Sequence, residues 1–202
     1  MGRRGCEGPD RMNATTPQIL STALQIPLAR ATPFAAPIAA AMARYAINTP
    51  ARQAAFLAQC GHESGRLQWL RELWGPTSAQ RAYEPPAAKA RELGNTQPGD
   101  GVRYRGGGLL QITGRYNFRV YGQKIGVALE ASPDLIGQPT TAALVSAQWW
   151  ADHGLNALAD AGDFLGISRV INLGNAHVAG TPNGMPDRLA LWASCKAALD
   201  VA

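Results

Sequence analysis

The chain has 202 residues, 46% hydrophobic and 16% charged, which excludes an intrinsically disordered protein and fits one domain with a substantial core. A formal charge of +5 and an isoelectric point near 9.4 favour an anionic partner: cell wall, lipopolysaccharide, membrane surface or nucleic acid. The three cysteines, Cys6, Cys60 and Cys195, are odd in number and widely spaced, which excludes a disulfide framework or zinc knuckle and fits reduced, partly buried thiols.

In chain order, residues 1–13 read as a disordered extension. They are charged and Gly-rich, and no apolar stretch makes a secretory signal. Residues 14–202 read as one domain. Thr16-Pro17 combines an N-cap with Pro at the first helical position and opens a short amphipathic helix carrying Ile19, Leu20, Ala23 and Leu24. A second helix is expected over Pro33–Ala46, too short and too interrupted by Pro37 and Arg44 to span a membrane. Asn48-Thr49-Pro50 repeats the start signal, and a third helix runs to about His62, apolar almost all round and therefore central and buried. Residues 64–108 are rich in Gly, Pro and polar residues, with a short helix at Ala87–Leu93. An apolar patch followed by Tyr and Asn occupies 107–122. Further helices are expected over Thr140–His153, Gly162–Asn172 (starting near Asp163) and Pro186–Leu199. Strand signal is confined to a short ribbon near 103–113, so the fold class is mainly α.

The chemistry concentrates at His62-Glu63-Ser64-Gly65. A carboxylate at a glycine-terminated helix end has apolar walls on one side and a cleft on the other, an environment that suits a general acid. Glu72 follows nine residues later, and glycoside hydrolysis needs two carboxyl groups across one bond. On one straight helix those residues stand about 13.5 Å apart on opposite faces. The pair can share a substrate only if the chain leaves the helix at Gly65 and turns back; an inverting pair needs a separation of roughly 6.5–9.5 Å.

Competing chemistries lack their residues. His62-Glu63 is not the start of HExxH, because Arg66 stands where the second His belongs, and His153 and His177 have no ligand spacing. No metal or cofactor is expected. Gly106-Gly107-Gly108 makes neither GxGxxG nor a P-loop, and there is no GxSxG, SxxK or Cys-His signal. Trp69, Trp74, Tyr83, Tyr104, Tyr116, Trp149 and Trp150 offer rings that stack on sugar faces or pack the core.

Four segments together resemble glycoside hydrolase family 19, over about residues 50–195, and within it the bacteriophage endolysin branch more than plant chitinases. They are Gly61-His62-Glu63-Ser64-Gly65; Glu72-Leu73-Trp74-Gly75-Pro76-Thr77; the run from Tyr104-Arg105-Gly106-Gly107-Gly108 through Gln111-Ile112-Thr113-Gly114-Arg115-Tyr116-Asn117; and Ile171-Asn172-Leu173-Gly174. The resemblance implies a lysozyme-like, two-lobed helical fold with a central cleft and an inverting, metal-free mechanism. It implies Glu63 as general acid, Glu72 as general base and Thr113 as the hydroxyl that holds the water, a role suited to a group that both donates and accepts. Tyr104, Gln111, Asn117 and Asn172 then match substrate-contacting positions, and Arg188 matches a late arginine that orients the acidic groups. The family's Tyr-Arg-Gly-Arg-Gly is here Tyr104-Arg105-Gly106-Gly107-Gly108, one arginine fewer, and its Ile-Asn-Gly-Gly is Ile171-Asn172-Leu173-Gly174. Glu84, nearer the wider plant spacing, is the second candidate for the base.

The expected function is an endolysin-type lysozyme that cuts the peptidoglycan bond between N-acetylmuramic acid and N-acetylglucosamine during phage release. The enzyme is expected to be a monomer held in the host cytoplasm until a membrane pore admits it to the wall. Chitinase action on β-1,4 GlcNAc polymers is the near alternative. A non-catalytic wall-binding protein is the alternative of another class, and a nucleic-acid binder ranks last, since no binding motif or basic stripe is present.

Overall fold

The structure is a computed structural model describing residues 15–200; the expected extension over residues 1–13, with Cys6, lies outside the described residues. Eleven α-helices follow one another among the described residues: α1 (Pro17–Leu24), α2 (Leu28–Arg44), α3 (Pro50–Glu63), α4 (Ser78–Arg81), α5 (Ala88–Glu92), α6 (Asp100–Arg103), α7 (Arg115–Ile125), α8 (Pro139–Asp152), α9 (Leu155–Asp160), α10 (Phe164–Leu173) and α11 (Met185–Ala198). A 3₁₀ turn, Pro133–Gly137, precedes α8. The expected ribbon reduces to two isolated antiparallel bridges, Arg71 with Gly107 and Gly107 with Ile112.

Local chemistry sets the helix starts. The Thr16 and Thr49 hydroxyls accept the Ile19 and Arg52 backbone N–H groups, with Pro17 and Pro50 in the first turn. Asp163 caps α10 by accepting from Gly166 N. Two expectations need correction. α2 begins at Leu28, five residues before the expected Pro33, and carries both Pro33 and Pro37 inside it. Its buried residues, Ala31, Phe34, Ala35, Ile38, Ala41 and Met42, make one helical stripe. Burial of that stripe outweighs the hydrogen bonds the prolines remove. α7 and α9 are helices that the sequence reading left unassigned. α7 buries Phe118, Tyr121, Gly122 and Ile125 at helical spacing within an otherwise polar segment, and α9 is too short to show a period.

α3 forms the centre of the helical lobe, with every residue from Gln53 to Gly61 buried. It packs against α11, α1 and α9, while α2 bridges α1 and α8, and α7 lies on α8. One continuous hydrophobic cluster joins these elements, with Phe56 meeting Trp150 edge-on at 5.3 Å between ring centroids. Cys60 and Cys195 are free thiols in this core; burial pushes Cys195 up to about 12. Residues 64–114 build the second lobe, loops braced by polar side chains. Asp100, 2% exposed, accepts from Thr96 N and Gln97 N and takes the Arg115 guanidinium on both oxygens. Among the described residues no single helix is long and apolar enough to cross a membrane.

Candidate active site

Glu63 is the last residue of α3, where the buried helix meets solvent. Its Oε1 accepts from Arg188 Nη2; its Oε2 has no protein partner among the described residues. Arg188, from α11, is only 1% exposed, and its other nitrogens donate to Gln59 Oε1 and to the Asn183 carbonyl at 3.0 Å. Gln59, one turn before Glu63, donates to Ser168 Oγ at 2.7 Å, and Ser168 donates on to Phe164 O. The carboxylate therefore rests on a buried polar chain running through three helices, each member satisfied.

Beside it, His62 Nδ1 lies 2.7 Å from Asp187 Oδ2, and Arg66 Nη2 donates to Asp187 Oδ1. Burial pushes the Asp187 carboxyl up, but the hydrogen bonds from His62 and Arg66 outweigh it and hold the group below the usual carboxylate range.

After α3 the chain reverses through three successive left-handed residues, Gly65 (φ 56°), Arg66 (φ 57°) and Leu67 (φ 63°). Two of them carry side chains, so the turn stores strain that its surroundings must hold. Ser64 supplies the hold. Its buried hydroxyl donates to Cys60 O at 2.6 Å and accepts from Leu67 N at 2.9 Å, while its carbonyl accepts from Gln68 N and Trp69 N. The turn delivers Glu72 to a pairing with the glycine run: Glu72 N donates to Gly106 O at 2.8 Å, and Gly106 N donates back to the Glu72 side chain, Oε2, at 3.0 Å. A Cβ on Gly106 would stand 2.7 Å from Gln111 Oε1 and 3.3 Å from Glu72 Oε2, so only glycine lets the two side chains close over it. The other oxygen, Oε1, accepts from Gln80 Nε2 at 2.9 Å. Gln80 is 4% exposed and fully used: its amide also donates to Leu73 O, and its carbonyl oxygen accepts from Thr77 N and Gly75 N.

Gln111, Thr113 and Asn117 line one cleft of about 270 Å³ with Tyr83, Lys89 and Trp149. Thr113 Oγ1 donates to Gln111 O at 3.0 Å, and Asn117 Nδ2 donates to Thr113 O at 2.8 Å. Gln111 Nε2 donates to Trp69 O, tying this wall to the segment between the two glutamates. Tyr83 brings Glu72 into electrical contact with the cleft: its phenol is pushed up by burial and secondly by the Glu72 charge. Asn172 lies beyond Ile171, a cleft residue; its Oδ1 accepts from Asn183 N, whose carbonyl in turn takes Arg188.

One residue differs from its expected placement. Tyr104 is 1% exposed, packed edge-on against Phe118 with its hydroxyl donating to Glu130 O, so its side chain belongs to the core and not to a sugar-contacting surface. An aromatic ring that the Arg115 guanidinium covers at 4.9 Å gains more from burial than from a wet groove. Arg188 is too buried to touch a polymer and holds Glu63, the orienting place the resemblance implies, while its other nitrogens donate to Gln59 and the Asn183 carbonyl. Glu84, the second candidate for the base, accepts from Gly99 N at 2.9 Å and Val102 N at 3.2 Å at the start of α6. The sequence reading missed Gln59, Ser64 and Gln80. Only Gln80 carried a local signal, the Thr77–Gln80 capping box.

Comparison with known proteins gives the family and the fold. The family model described as chitinase class I, glycoside hydrolase family 19, matches residues 28–157. A Haemophilus influenzae protein described as a glycosyl hydrolase family 19 domain-containing protein is 32% identical over 164 residues, 70% of this chain and 76% of that protein. An Arabidopsis thaliana endochitinase is 31% identical over 67% of this chain but only 44% of its own length, so the chain spans less than half of that plant relative. The crystal structure of chitinase C from Streptomyces griseus superposes with a TM-score of 0.72 over 96% of this chain and 97% of that one, at 19% identity, a likeness of fold.

Proposed function

This chain belongs to glycoside hydrolase family 19, and within that family we propose that it cuts the β-1,4 bond of peptidoglycan between N-acetylmuramic acid and N-acetylglucosamine, as an endolysin does, by inversion at the anomeric carbon. Glu63 is the general acid, Glu72 the general base and Thr113 the residue that holds the attacking water. The observation that carries the division of labour is the asymmetry of the two carboxyl groups. Glu63 has one oxygen tied to Arg188 and one without a protein partner, so the second can carry a proton to the leaving glycosidic oxygen. Glu72 has both oxygens fed by N–H donors, from Gln80 and Gly106. Such a group is fixed in orientation and turns its remaining lone pairs to a water.

In the proposed reaction the glycosidic bond breaks as the Glu63 proton passes to the leaving oxygen. Water attacks from the opposite face, and its proton goes to Glu72. The Thr113 hydroxyl, whose hydrogen is directed to Gln111 O, offers its oxygen as an acceptor for that water. Gln111 and Asn117 border the sugar, and Asn172 positions the loop behind Glu63.

Peptidoglycan is favoured over chitin by charge: the protein carries +5, and the wall polymer is anionic while chitin is neutral. Action on chitin is the second reading, favoured by the plant and Streptomyces relatives named as chitinases. The test is hydrolysis of purified peptidoglycan and colloidal chitin by wild type and Glu63→Gln. Release of reducing ends from peptidoglycan, abolished in the variant, is the expected outcome. Equal rates for the variant and wild type contradict the acid assignment, and release from chitin alone contradicts the substrate.

A further inference from the structure

A second concavity, of about 600 Å³, lies behind the Glu72 segment and is lined by Arg71, Arg103 and Arg105 together with Ser132, Asp134 and Gln138. It opens on the opposite side of the 71–72/106–107 pairing from the glutamate. A Cβ on Gly106 would meet Glu72 and Gln111, whereas one on Gly107 would meet Ile136 and Arg71 Nη1. The groove and the catalytic segment thus share one wall, and Arg105 spans it, donating from Nε to the Glu72 carbonyl at 2.9 Å.

The charge in this groove is poorly compensated. Arg103 donates to Ala131 O, and Arg105 donates to Glu72 O and Val102 O, all backbone; neither forms an ion pair among the described residues. Arg71 donates to the carbonyls of Arg103 and Arg105 and reaches a single carboxylate, Asp134, at 3.3 Å, whose own side chain is 92% exposed. Arg71 Nε is buried with no partner at all. Burial first, and the neighbouring Arg105 charge second, push the Arg71 guanidinium below its ordinary value against the opposing pull of Asp134 and Glu72. A neutral sugar offers such a groove only hydroxyls and amides, whereas a carboxylate matches the guanidinium fork.

We infer that the Arg71–Arg103–Arg105 groove binds carboxylate groups of the wall polymer, the free stem-peptide carboxylates that peptidoglycan carries and chitin lacks, beside the cleft in which its glycan is cut. The inference rests on the peptidoglycan reading. It adds a recognition site that sets substrate class without touching the scissile bond. Asp134 occupies part of the groove as an internal competitor, holding Arg71 through one exposed oxygen.

The test uses the full chain with the Glu63→Gln substitution, so that the polymer is bound and not degraded, and measures co-sedimentation with purified peptidoglycan, with peptidoglycan whose carboxyl groups have been amidated, and with chitin. Arg103→Gln, at an exposed position, is expected to weaken retention on intact peptidoglycan by about two- to fivefold, the range of a partly exposed ion pair. Asp134→Asn is expected to strengthen retention by a similar factor, and both effects should vanish on amidated peptidoglycan and on chitin. If both variants bind intact and amidated peptidoglycan as the parent does, or if the changes persist after amidation, the groove is not a carboxylate site. Hydrolysis of peptidoglycan by proteins with Glu63 intact is scored separately, so failure of the groove and failure of the peptidoglycan reading give different results.

Discussion

At the scale of single residues, each glutamate is held by a partner: Glu63 by Arg188, which the family resemblance implies, and Glu72 by Gln80, which motif reading does not reveal. Gln80 is the partner of Glu72, and its amide must both donate to the carboxylate and accept from the Thr77 backbone. Gln80→Met keeps the volume but frees Oε1; kcat should fall by roughly tenfold to a hundredfold with a smaller change in KM, the cost of a misplaced reacting group. Gln80→Glu sets a second carboxylate against Glu72, so the acid limb of its pH–rate profile should move to higher pH, a shift that a merely structural residue would not produce. Ser64 belongs to the same class: Ser64→Ala leaves Leu67 N without its buried acceptor and should cost about 2 kcal/mol in urea unfolding. Gln59 and Arg188 join positions far apart in the chain, so no local pattern announces their contact, whereas the Ser64 and Gln80 bonds are short-range and belong to a turn and a cap. Glu63 and Glu72 stand out in the sequence as candidates because a family motif surrounds each. Tyr104 was misread because the same motif says nothing about which way a ring faces.

Acid stability also belongs at this scale. Burial pushes the Asp100 carboxyl up, but the Arg115 fork and the Gln97 and Thr96 N–H groups outweigh it and leave it below 3.8. Asp187 is shifted in the same net direction. A group whose proton affinity falls on folding stabilises the fold at pH values above its unfolded value and loses that contribution as pH drops through the folded one. Thermal stability should therefore be flat from neutrality to about pH 4 as far as these two groups are concerned, and decline below it. Asp100→Asn should lower the melting temperature at pH 7 and flatten the decline at lower pH.

At the scale of elements, the helix starts were readable from Thr-Pro and Asp signals because capping is local chemistry. The start of α2 was not, since tertiary burial of its stripe overrode two prolines. α3 is the element on which the site depends, for it ends at Glu63 and its packing against α11 fixes where Arg188 lies. Leu191, 1% exposed on α11, fills this contact; Leu191→Ala should cost about 3 kcal/mol and lower activity at temperatures well below the unfolding midpoint of the wild type. Loss of stability with unchanged low-temperature kinetics would show that α11 carries Arg188 without setting its position. The reversal after α3 is an element too. Spacing required a turn at Gly65, and the structure extends it to Arg66 and Leu67, a left-handed run that composition does not signal.

At the scale of the whole molecule, the helical lobe carries Glu63 and the loop-built lobe carries Glu72, Gln111 and Thr113. One apolar cluster orders the helical lobe and reaches into the other through Leu67, Leu109, Leu110 and Ile112, where polar bracing around Asp100, Asn95 and Glu84 adds to it. Helical periodicity made the first visible in the sequence; the second depends on side chain–backbone bonds between loops and was not. The account as a whole stands on the assignment of proton donor and water activator. The most direct measurement compares Glu63→Gln with wild type on two substrates, the natural glycan and an aryl glycoside whose nitrophenyl leaving group departs without protonation. If Glu63 is the acid, the variant loses about 10²- to 10⁴-fold on the glycan and far less on the aryl glycoside. Equal losses on both substrates would contradict the assignment.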